Sequence, residues 1–199
     1  MHPGASTMSE PSETEMSPTG LPAMQTKRLR LVPYGLGPAT VDAFCRITTD
    51  PAVYWWREEP YTVEQQSEHF LSGKLFEGQP DGMGYWAVFS AEDDALLGQV
   101  ILQPLEDSGL IEIGWHFLAN ARGHGYATEA ATRLMTYGFD VLEIDPIYAV
   151  IRSSNEPSIQ VALRVGLRPD GEGIYYDKPH LRFRMMRSQH HIQSQEKTS

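Results

Sequence analysis

The sequence predicts one α+β domain built on a mixed, mostly antiparallel sheet flanked by about four helices. Three strand signals follow one another across short turn-forming clusters, which predicts an antiparallel meander. A helix and a buried strand come next, and this crossover implies that the two strands it joins run parallel. A length of 199 residues fits one such domain with polar tails.

The domain opens with a strand and two helices. Leu29 to Pro33 alternates apolar and polar residues and stops at proline, which is typical of a short strand. Apolar residues recur at helical spacing from Pro38 to Thr48. A second helix is expected after Thr62, an N-cap candidate with Gln65 three residues later. Between these helices lies an aromatic, charged link, Tyr54 to Pro60.

The meander and the crossover occupy the middle of the chain, and a last helix with two closing strands completes the domain. Pro157 suits the first turn of that helix, and Gly166 suits its end. The expected ranges are Tyr85–Ser90, Leu96–Leu105 and Leu110–Phe117 for the meander, Ala127–Leu142 for the crossover helix, Pro146–Ile151 for the parallel strand, and Tyr175–Tyr176 and Leu181–Met185 for the closing strands.

Both ends of the chain are polar and lack apolar periodicity. Residues 1–24 and 188–199 are therefore expected to be disordered tails around a domain of residues 25–187, and His190 and His191 are expected to be solvated. The N-terminal stretch does not have the pattern of a secretory signal. No run reaches the roughly 18 apolar residues that a membrane helix needs, which predicts a soluble protein without a membrane partner.

Charge and cysteine content narrow the function. The formal net charge of −10 speaks against a nucleic-acid partner, because such binding draws its affinity from basic side chains, and it favours cationic partners. The single cysteine, Cys45, excludes an internal disulfide and multi-cysteine metal sites. It favours a reducing compartment, so we expect a cytoplasmic protein without a metal.

The most informative stretch runs from Leu118 to Ala130, where a strand passes through a small-residue loop into a helix. Such a junction presents unpaired backbone N–H groups at the positive end of the helix dipole, which suits an anion. It is not the dinucleotide fingerprint, because Thr128 stands at the third glycine position after Gly123 and Gly125. Taken alone, these glycines fit a plain tight connection equally well.

The context of these glycines carries a family resemblance. Arg122-x-x-Gly125-x-Ala127 matches the Arg/Gln-x-x-Gly-x-Gly/Ala signature of the GNAT superfamily of N-acetyltransferases, at the expected place between strand and helix. Three further stretches resemble the branch that includes the ribosomal-protein N-terminal (Rim-type) acetyltransferases, in the same order along the chain. They are Thr26–Leu31, the run from Glu112 through Ala130, and Ser154–Ile159 ending in Val165–Arg168.

The resemblance implies a GNAT-like sheet whose central parallel strands splay around acetyl-CoA as co-substrate. The loop N–H groups would hold the pyrophosphate, and the end of the preceding strand would pair with the pantetheine amides. Asn155 matches a position that contacts the cofactor arm, although capping the last helix explains it equally well, and both roles can coexist. The implied cofactor residues are Phe117, Leu118, Arg122, Gly123, His124, Gly125, Tyr126, Ala127, Thr128, Asn155 and Ser158.

Acetyl transfer to an amine needs a base, and Glu112 is the best candidate. Strand alternation places Glu112, Gly114 and His116 on one face, away from the apolar side. A salt bridge or simple solvation is the alternative reading of Glu112, and His116 is a second candidate base. Ala162 stands where many relatives carry a tyrosine acid, so a closing-segment tyrosine replaces it or no general acid is used.

The resemblance places acceptor specificity in the link between the first two helices and in the late hairpin. The candidate substrate residues are Tyr54, Trp55, Trp56, Glu58, Tyr175 and Tyr176. At most one of the two tryptophans is expected to face the substrate. The implied reaction is direct attack of a primary amine on acetyl-CoA in a ternary complex. The acceptor stays open between a protein N-terminus, a polyamine, an amino sugar and an antibiotic.

Two alternatives and the oligomeric state remain open at this stage. A non-catalytic acyl-CoA sensor would keep the loop and lose the chemistry, and the missing tyrosine at Ala162 leaves room for it. A nucleic-acid-binding module is disfavoured by charge. A homodimer is compatible with the sequence, since such folds often dimerise.

Overall fold

Eight strands form one sheet in the spatial order β1-β2-β3-β4-β5-β6-β8-β7 in a computed structural model that describes residues 20–35 and 38–196. The strands are β1 Met24–Gln25, β2 Leu29–Pro33, β3 Gly84–Ser90, β4 Leu96–Pro104, β5 Ile111–Phe117, β6 Ile147–Ile151, β7 Arg168–Tyr175 and β8 Lys178–Met185. The helices are α1 Pro38–Thr48, α2 Val63–Leu71, α3 Tyr126–Asp140, α4 Glu156–Val165 and α5 Arg187–Glu196. Short 3-10 helices cover Glu106–Ser108 and Ala119–Ala121.

The pairing of the strands confirms the predicted fold class. Every neighbouring pair is antiparallel except β5 and β6, which run parallel across the α3 crossover. Local signals also act as expected. Thr62 and Gln65 form a reciprocal capping box at the start of α2. Gly166 ends α4 with a left-handed backbone conformation that glycine adopts without steric cost.

Alternation along the strands divides the core between the two faces of the sheet. In β3, Trp86 and Val88 belong to the apolar cluster that contains α3 and α4. Ala87, between them, belongs to a second cluster with Phe44 of α1 and Phe70 of α2. The sheet is therefore covered on both faces, as its period-two pattern requires.

The parallel pair separates almost as soon as it forms. The paired register of β5 and β6 consists of Glu112 opposite Tyr148, and β5 continues from there to Phe117 beside β4 alone. The Leu118 N–H donates to the Leu97 carbonyl oxygen next to β4. Every second residue of β5, counted back from Leu118, therefore turns its backbone N–H and C=O groups towards β4. The backbone groups of Trp115 and Phe117 therefore point the other way, into the gap beside β6.

The C-terminal tail prediction is wrong for most of its length. Residues 187–196 form helix α5, and the His190 side chain is buried against Phe139, with its Nε2 3.0 Å from the Thr136 hydroxyl oxygen. His191 Nε2 lies 2.7 Å from a carboxylate oxygen of Asp140. Tertiary contacts with α3 thus order a polar segment that has little apolar periodicity of its own.

The predicted N-terminal tail also extends too far. Met24 pairs with Leu31 and is buried, as is Leu21. Residues 1–19 of that predicted tail lie outside the described residues. In the part of the chain that the structure describes, no helix is both long and apolar enough to cross a membrane.

Candidate active site

Glu112, Gly114 and His116 line one face of β5, as the alternation predicts. Their antiparallel register places them opposite Gln103, Ile101 and Gln99 of β4. This row lies on the α1 and α2 side of the sheet, whereas Ile113 and Phe117 pack in the core on the α3 side. The row begins where β5 and β6 pair and runs along the gap that opens beyond them.

The Glu112 carboxylate is buried, and its two oxygens differ in their surroundings. Oε1 accepts hydrogen bonds from Gln103 Nε2, at 2.7 Å, and from the Tyr176 hydroxyl. Oε2 has no hydrogen-bond partner among the described residues. Burial raises the pKa of Glu112 more than these two hydrogen bonds lower it. The result is a carboxyl group with one free oxygen and an increased proton affinity, as suits a general base.

His116 lies on the same face but is a weaker base. Gln99 Nε2 is 3.0 Å from His116 Nδ1, and the Tyr54 ring stacks on the imidazole with centroids 5.3 Å apart. Burial lowers the pKa of His116 to about 4. Because the Gln99 amide nitrogen donates to Nδ1, the single proton of the neutral imidazole is on Nε2. The imidazole is therefore neutral at physiological pH and acts as a polar wall of the site.

Tyr176, and not Tyr175, reaches the site. It lies in the turn between β7 and β8, where Tyr176 and Asp177 have φ of 51° and 57°. The turn directs its hydroxyl to Glu112. Although the side chain is partly exposed, desolvation of the hydroxyl and the Glu112 charge raise the pKa of Tyr176, so the hydroxyl stays protonated and donates. Tyr175 is buried in the hairpin, where its hydroxyl accepts from Arg182. Ala162 is buried in the core.

The loop before α3 has the backbone conformation expected of an anion site. Gly123 and Gly125 have φ of 81° and 79°, the left-handed region that favours glycine. α3 begins at Tyr126 without a side-chain cap, and the first helical bond runs from Glu129 N–H to the Gly125 carbonyl. Among the described residues, no partner accepts from the backbone N–H groups of residues 123–128, which include Ala127 and Thr128.

His124 and Arg122 use their side chains on the protein itself. The exposed His124 ring stacks on Tyr126, and its Nδ1 lies 2.8 Å from the Arg122 carbonyl oxygen. The Arg122 guanidinium donates to the carbonyl oxygens of Ala52, at 2.6 Å, and Phe117, at 3.3 Å. Arg122 thereby ties the end of β5 to the segment that precedes the aromatic link, and only its backbone belongs to the loop.

Asn155 caps α4, which is the structural role considered for it. Its side-chain oxygen accepts from the Ser158 N–H at 3.3 Å. The helix thus begins just after β6, at the far side of the gap from the α3 loop.

The sequence reasoning missed a clasp behind the loop. Arg28 Nη1 donates to the His124 carbonyl oxygen at 3.0 Å, and its Nη2 lies 2.6 Å from the Glu129 carboxylate in the first turn of α3. Thr26 also donates to Glu129. Partial burial acts to raise the pKa of Glu129, but the hydrogen bonds from Thr26 and Arg28 and the charge of Arg28 outweigh it. The pKa therefore lies below its ordinary value, and Glu129 stays ionised. The Thr26–Leu31 motif indicates only the family resemblance. Its contact with the α3 loop joins residues about a hundred positions apart, so no local pattern predicts it.

The aromatic link covers the other side of the site. Trp55 is exposed, whereas Trp56 packs between the Tyr54 ring and the Arg152 guanidinium, at 5.1 and 5.2 Å. Glu58 is exposed. Tyr54 contacts His116 of β5, and Trp56 contacts Arg152, which directly follows β6. The aromatic link therefore reaches from β5 to the end of β6. Of the predicted substrate residues, Tyr54 and Tyr176 lie against the β5 row.

A cavity of about 500 Å³ lies between this link, α1, α2 and the strands β3 and β4. It is lined by Phe44, Thr48, Tyr54, Arg57, Glu59, Pro60, Tyr61, Gln65, Gln66, His69, Leu75, Tyr85, Gln99 and Ile101. Two of its walls connect to the β5 row. Gln99 contacts His116, and Tyr85 donates to Gln103, which in turn donates to Glu112. Gln99, Gln103 and Tyr85 were not predicted, because strand register decides which residues of β3 and β4 face β5.

The backbone of the α3 loop and of β5 fits a coenzyme. Within residues 20–35 and 38–196, no three His, Cys, Asp or Glu side chains cluster closely enough to hold a metal ion. The unpartnered N–H groups of the α3 loop and the backbone edge of β5 fit the phosphates and amides of an extended acyl carrier.

Comparison with known proteins gives one consistent result. Residues 28–168 match the sequence profile of the acetyltransferase (GNAT) domain. YnaD of Bacillus subtilis, an uncharacterized N-acetyltransferase, is 28% identical over 124 residues, which are 62% of this chain and 71% of YnaD. YdaF of the same organism, named by inference as a ribosomal N-acetyltransferase, is 30% identical over 92 residues, or 44% of this chain and 50% of YdaF.

The fold is found in solved structures of similar size. The spermidine N-acetyltransferase of Vibrio cholerae, crystallised with CoA and spermine, superposes with a TM-score of 0.67 at 15% identity. The alignment covers 83% of this chain and 99% of that protein.

Proposed function

Because the chain belongs to the GNAT family of N-acetyltransferases, we propose that it transfers the acetyl group of acetyl-CoA to a primary amine, with Glu112 as the general base. The observation that carries this proposal is the free Oε2 of Glu112. The buried carboxylate stands between the cavity beside β3 and β4 and the gap between β5 and β6.

The α3 loop and the inner edge of β5 hold the coenzyme. Gly123 and Gly125 leave the loop free of bulk, so the N–H groups at the start of α3 bind the pyrophosphate. Trp115 and Phe117 offer backbone groups that pair with the pantetheine amides. The V. cholerae relative bound to CoA supports this use of the shared fold.

Acetyl-CoA supplies a thioester: the amine nitrogen bonds to the acetyl carbon, the carbon–sulfur bond breaks, and the thiolate takes up one proton as the amine loses one. Glu112 Oε2 accepts the proton of the amine. Tyr176, whose hydroxyl stays protonated because it is partly withdrawn from water and lies beside a carboxylate, is the acid group closest to Glu112 and takes the role that Ala162 leaves vacant. Gln103 fixes the carboxylate by its hydrogen bond to Oε1 and leaves Oε2 to accept the proton.

The test measures CoA release from acetyl-CoA with a panel of primary amines, for the wild type and for Glu112→Gln. Loss of a general base lowers kcat by about 100-fold or more. The Kd for CoA, measured by calorimetry, should stay unchanged. Glu92→Gln, on the exposed turn between β3 and β4, is the matched control.

Two outcomes would contradict the proposal. Unchanged turnover in Glu112→Gln would remove Glu112 from the chemistry. Tight CoA binding without turnover of any amine by the wild type would point to a non-catalytic acyl-CoA-binding protein.

A further inference from the structure

We infer that the acceptor is a small primary amine that also carries a carboxylate, of the amino-acid class, and that Arg57 binds this carboxylate. The inference rests on the proposed function and concerns the cavity of about 500 Å³ beside the β5 row. Nothing in the family match assigns a substrate to this cavity.

The position of the cavity makes it the acceptor site. Gln99 and Ile101 form its floor on β4, directly opposite His116 and Gly114 of β5. Gly114 has no side chain between Glu112 and His116, so the floor continues to β5 without obstruction. Glu112 lies diagonally across from Ile101, one strand over and two residues along, about 7–8 Å away, a distance that the amine end of a ligand in the cavity can span.

The size of the cavity and its largely uncharged walls favour a small, compact acceptor. Tyr54, Tyr61 and Tyr85 contribute aromatic faces, and burial raises the pKa of Tyr85 to about 12, so its hydroxyl is uncharged. Gln65 and Gln66 add uncharged amide groups. A volume of this order admits an amino acid or a dipeptide.

The balance of charge in the lining argues against a polycation. Glu59 is the carboxylate among the lining residues, and Arg57 is a permanent cation on the same wall. A polyamine or an aminoglycoside carries several positive charges and needs several carboxylates to offset their desolvation. The lining provides Glu59, with the proposed base Glu112 beyond the floor, and the Arg57 guanidinium repels any second ammonium group on the same wall.

Arg57 is fixed in place and is not neutralised. Its Nε donates to the Glu59 carbonyl oxygen at 3.1 Å, and its Nη1 donates to the Tyr61 hydroxyl at 3.0 Å. The guanidinium also lies over the Tyr61 ring, 3.8 Å from the centroid. Among the described residues no carboxylate lies within ion-pairing distance of it, and Nη2 has no hydrogen-bond partner. A preorganised guanidinium with a free edge is suited to a carboxylate.

The test compares matched acceptors at fixed acetyl-CoA. The series contains ω-amino acids of increasing length, the alkylamines that lack the carboxylate, and the diamines that replace it with a second amine, with spermidine added. Amino acids of the fitting length should exceed the matched alkylamine in kcat/KM by about 10- to 100-fold, the range of a charge-assisted hydrogen bond. Diamines and spermidine should be poorer than the alkylamine.

Variants at Arg57 assign the effect to this residue. Arg57→Gln should lower the ratio of amino-acid to alkylamine kcat/KM to about one, and Arg57→Glu should reverse the preference towards diamines. Arg30→Gln, which alters an arginine paired with Asp94 on β2, should change neither.

The outcomes separate this inference from the proposed function. Turnover that favours spermidine or the diamines, or an amino-acid preference that survives Arg57→Gln, would overturn the inference while the acetyltransferase activity stands. Absence of turnover with every amine, together with CoA binding, would overturn both.

Discussion

The guanidinium of Arg28 donates to the His124 carbonyl oxygen at 3.0 Å and pairs with Glu129, so that residues at the start of β2 hold the loop that opens α3. The guanidinium also lies 4.8 Å from the centroid of the Tyr126 ring. The backbone geometry of the proposed pyrophosphate site thus depends on a side chain that lies outside the loop. Arg28 is a positioning residue of that site.

Replacing Arg28 by alanine should weaken coenzyme binding more than it slows the chemistry. Loss of the clasp frees the left-handed loop, so the N–H groups must be ordered when the coenzyme binds. We expect KM for acetyl-CoA to rise by about 10-fold with kcat within about two-fold, since a positioning hydrogen bond to a charged group contributes roughly 1.5 kcal/mol. Steady-state kinetics measure both constants. Arg30→Ala is the control, and a fall in kcat alone would contradict this role.

The pH dependence of turnover should report the Glu112 carboxyl group. Burial raises its pKa, so kcat/KM should increase with pH through an acidic limb that lies above the ordinary pKa of glutamate. The Tyr176 hydroxyl stabilises the ionised carboxylate, and its removal in Tyr176→Phe should move that limb to higher pH. Tyr175→Phe serves as the control, because the Tyr175 hydroxyl contacts Arg182 and not Glu112. An unmoved limb in Tyr176→Phe would exclude this contact from the reacting state.

The stability of the fold should fall in mildly acidic solution because of His116. Its pKa is lowered to about 4 in the folded protein, against an unfolded value of about 6.5. Between these two pKa values the unfolded chain binds a proton at His116 and the folded chain does not. The free energy of unfolding therefore decreases as pH falls from 6.5 towards 4, by roughly 3 kcal/mol at most. Urea unfolding at several pH values measures the loss. His116→Asn should reduce it, and an equal loss in that variant would show that other groups are responsible.

Two glycines beside the β5 row should respond differently to alanine. A Cβ at Gly98 would lie 2.3 Å from the His116 carbonyl oxygen and 2.9 Å from the Phe117 Cα, both backbone atoms, so we expect a loss of about 2 kcal/mol or more in stability. A Cβ at Gly114 would meet only Ile101 at 3.7 Å. Gly114→Ala should keep its Tm and lose turnover, because the methyl group occupies the floor beside Glu112. A large fall in Tm for Gly114→Ala would contradict this.

Local signals in the sequence predicted most of the fold. Strand β2 and helix α1 have the expected bounds, and the Thr62 capping box and the end of α4 at Gly166 follow from short-range chemistry. Helix α5 was missed because its order depends on contacts of His190 and His191 with α3, which no local pattern encodes.

The candidate site was predicted unevenly for the same reason. The face of β5 that carries Glu112 and His116 follows from period-two alternation alone. Register, however, decides that Gln103 and Gln99 oppose them, and a non-local contact decides that Tyr176, rather than Tyr175, reaches Glu112. The guanidinium of Arg122 binds two carbonyl groups of the protein, and the sequence carries no signal of that choice.

The brief contact between β5 and β6 makes the sheet two smaller sheets, of five and three strands, that share a seam at Glu112 and Tyr148. Amide protons along that inner edge lack the protection that a ladder provides, so they should exchange with deuterium faster than those of the β4 side of β5. A coenzyme that pairs with Trp115 and Phe117 would complete the ladder across the gap. Slower exchange at these two amides would therefore signal occupancy even before an acceptor is identified.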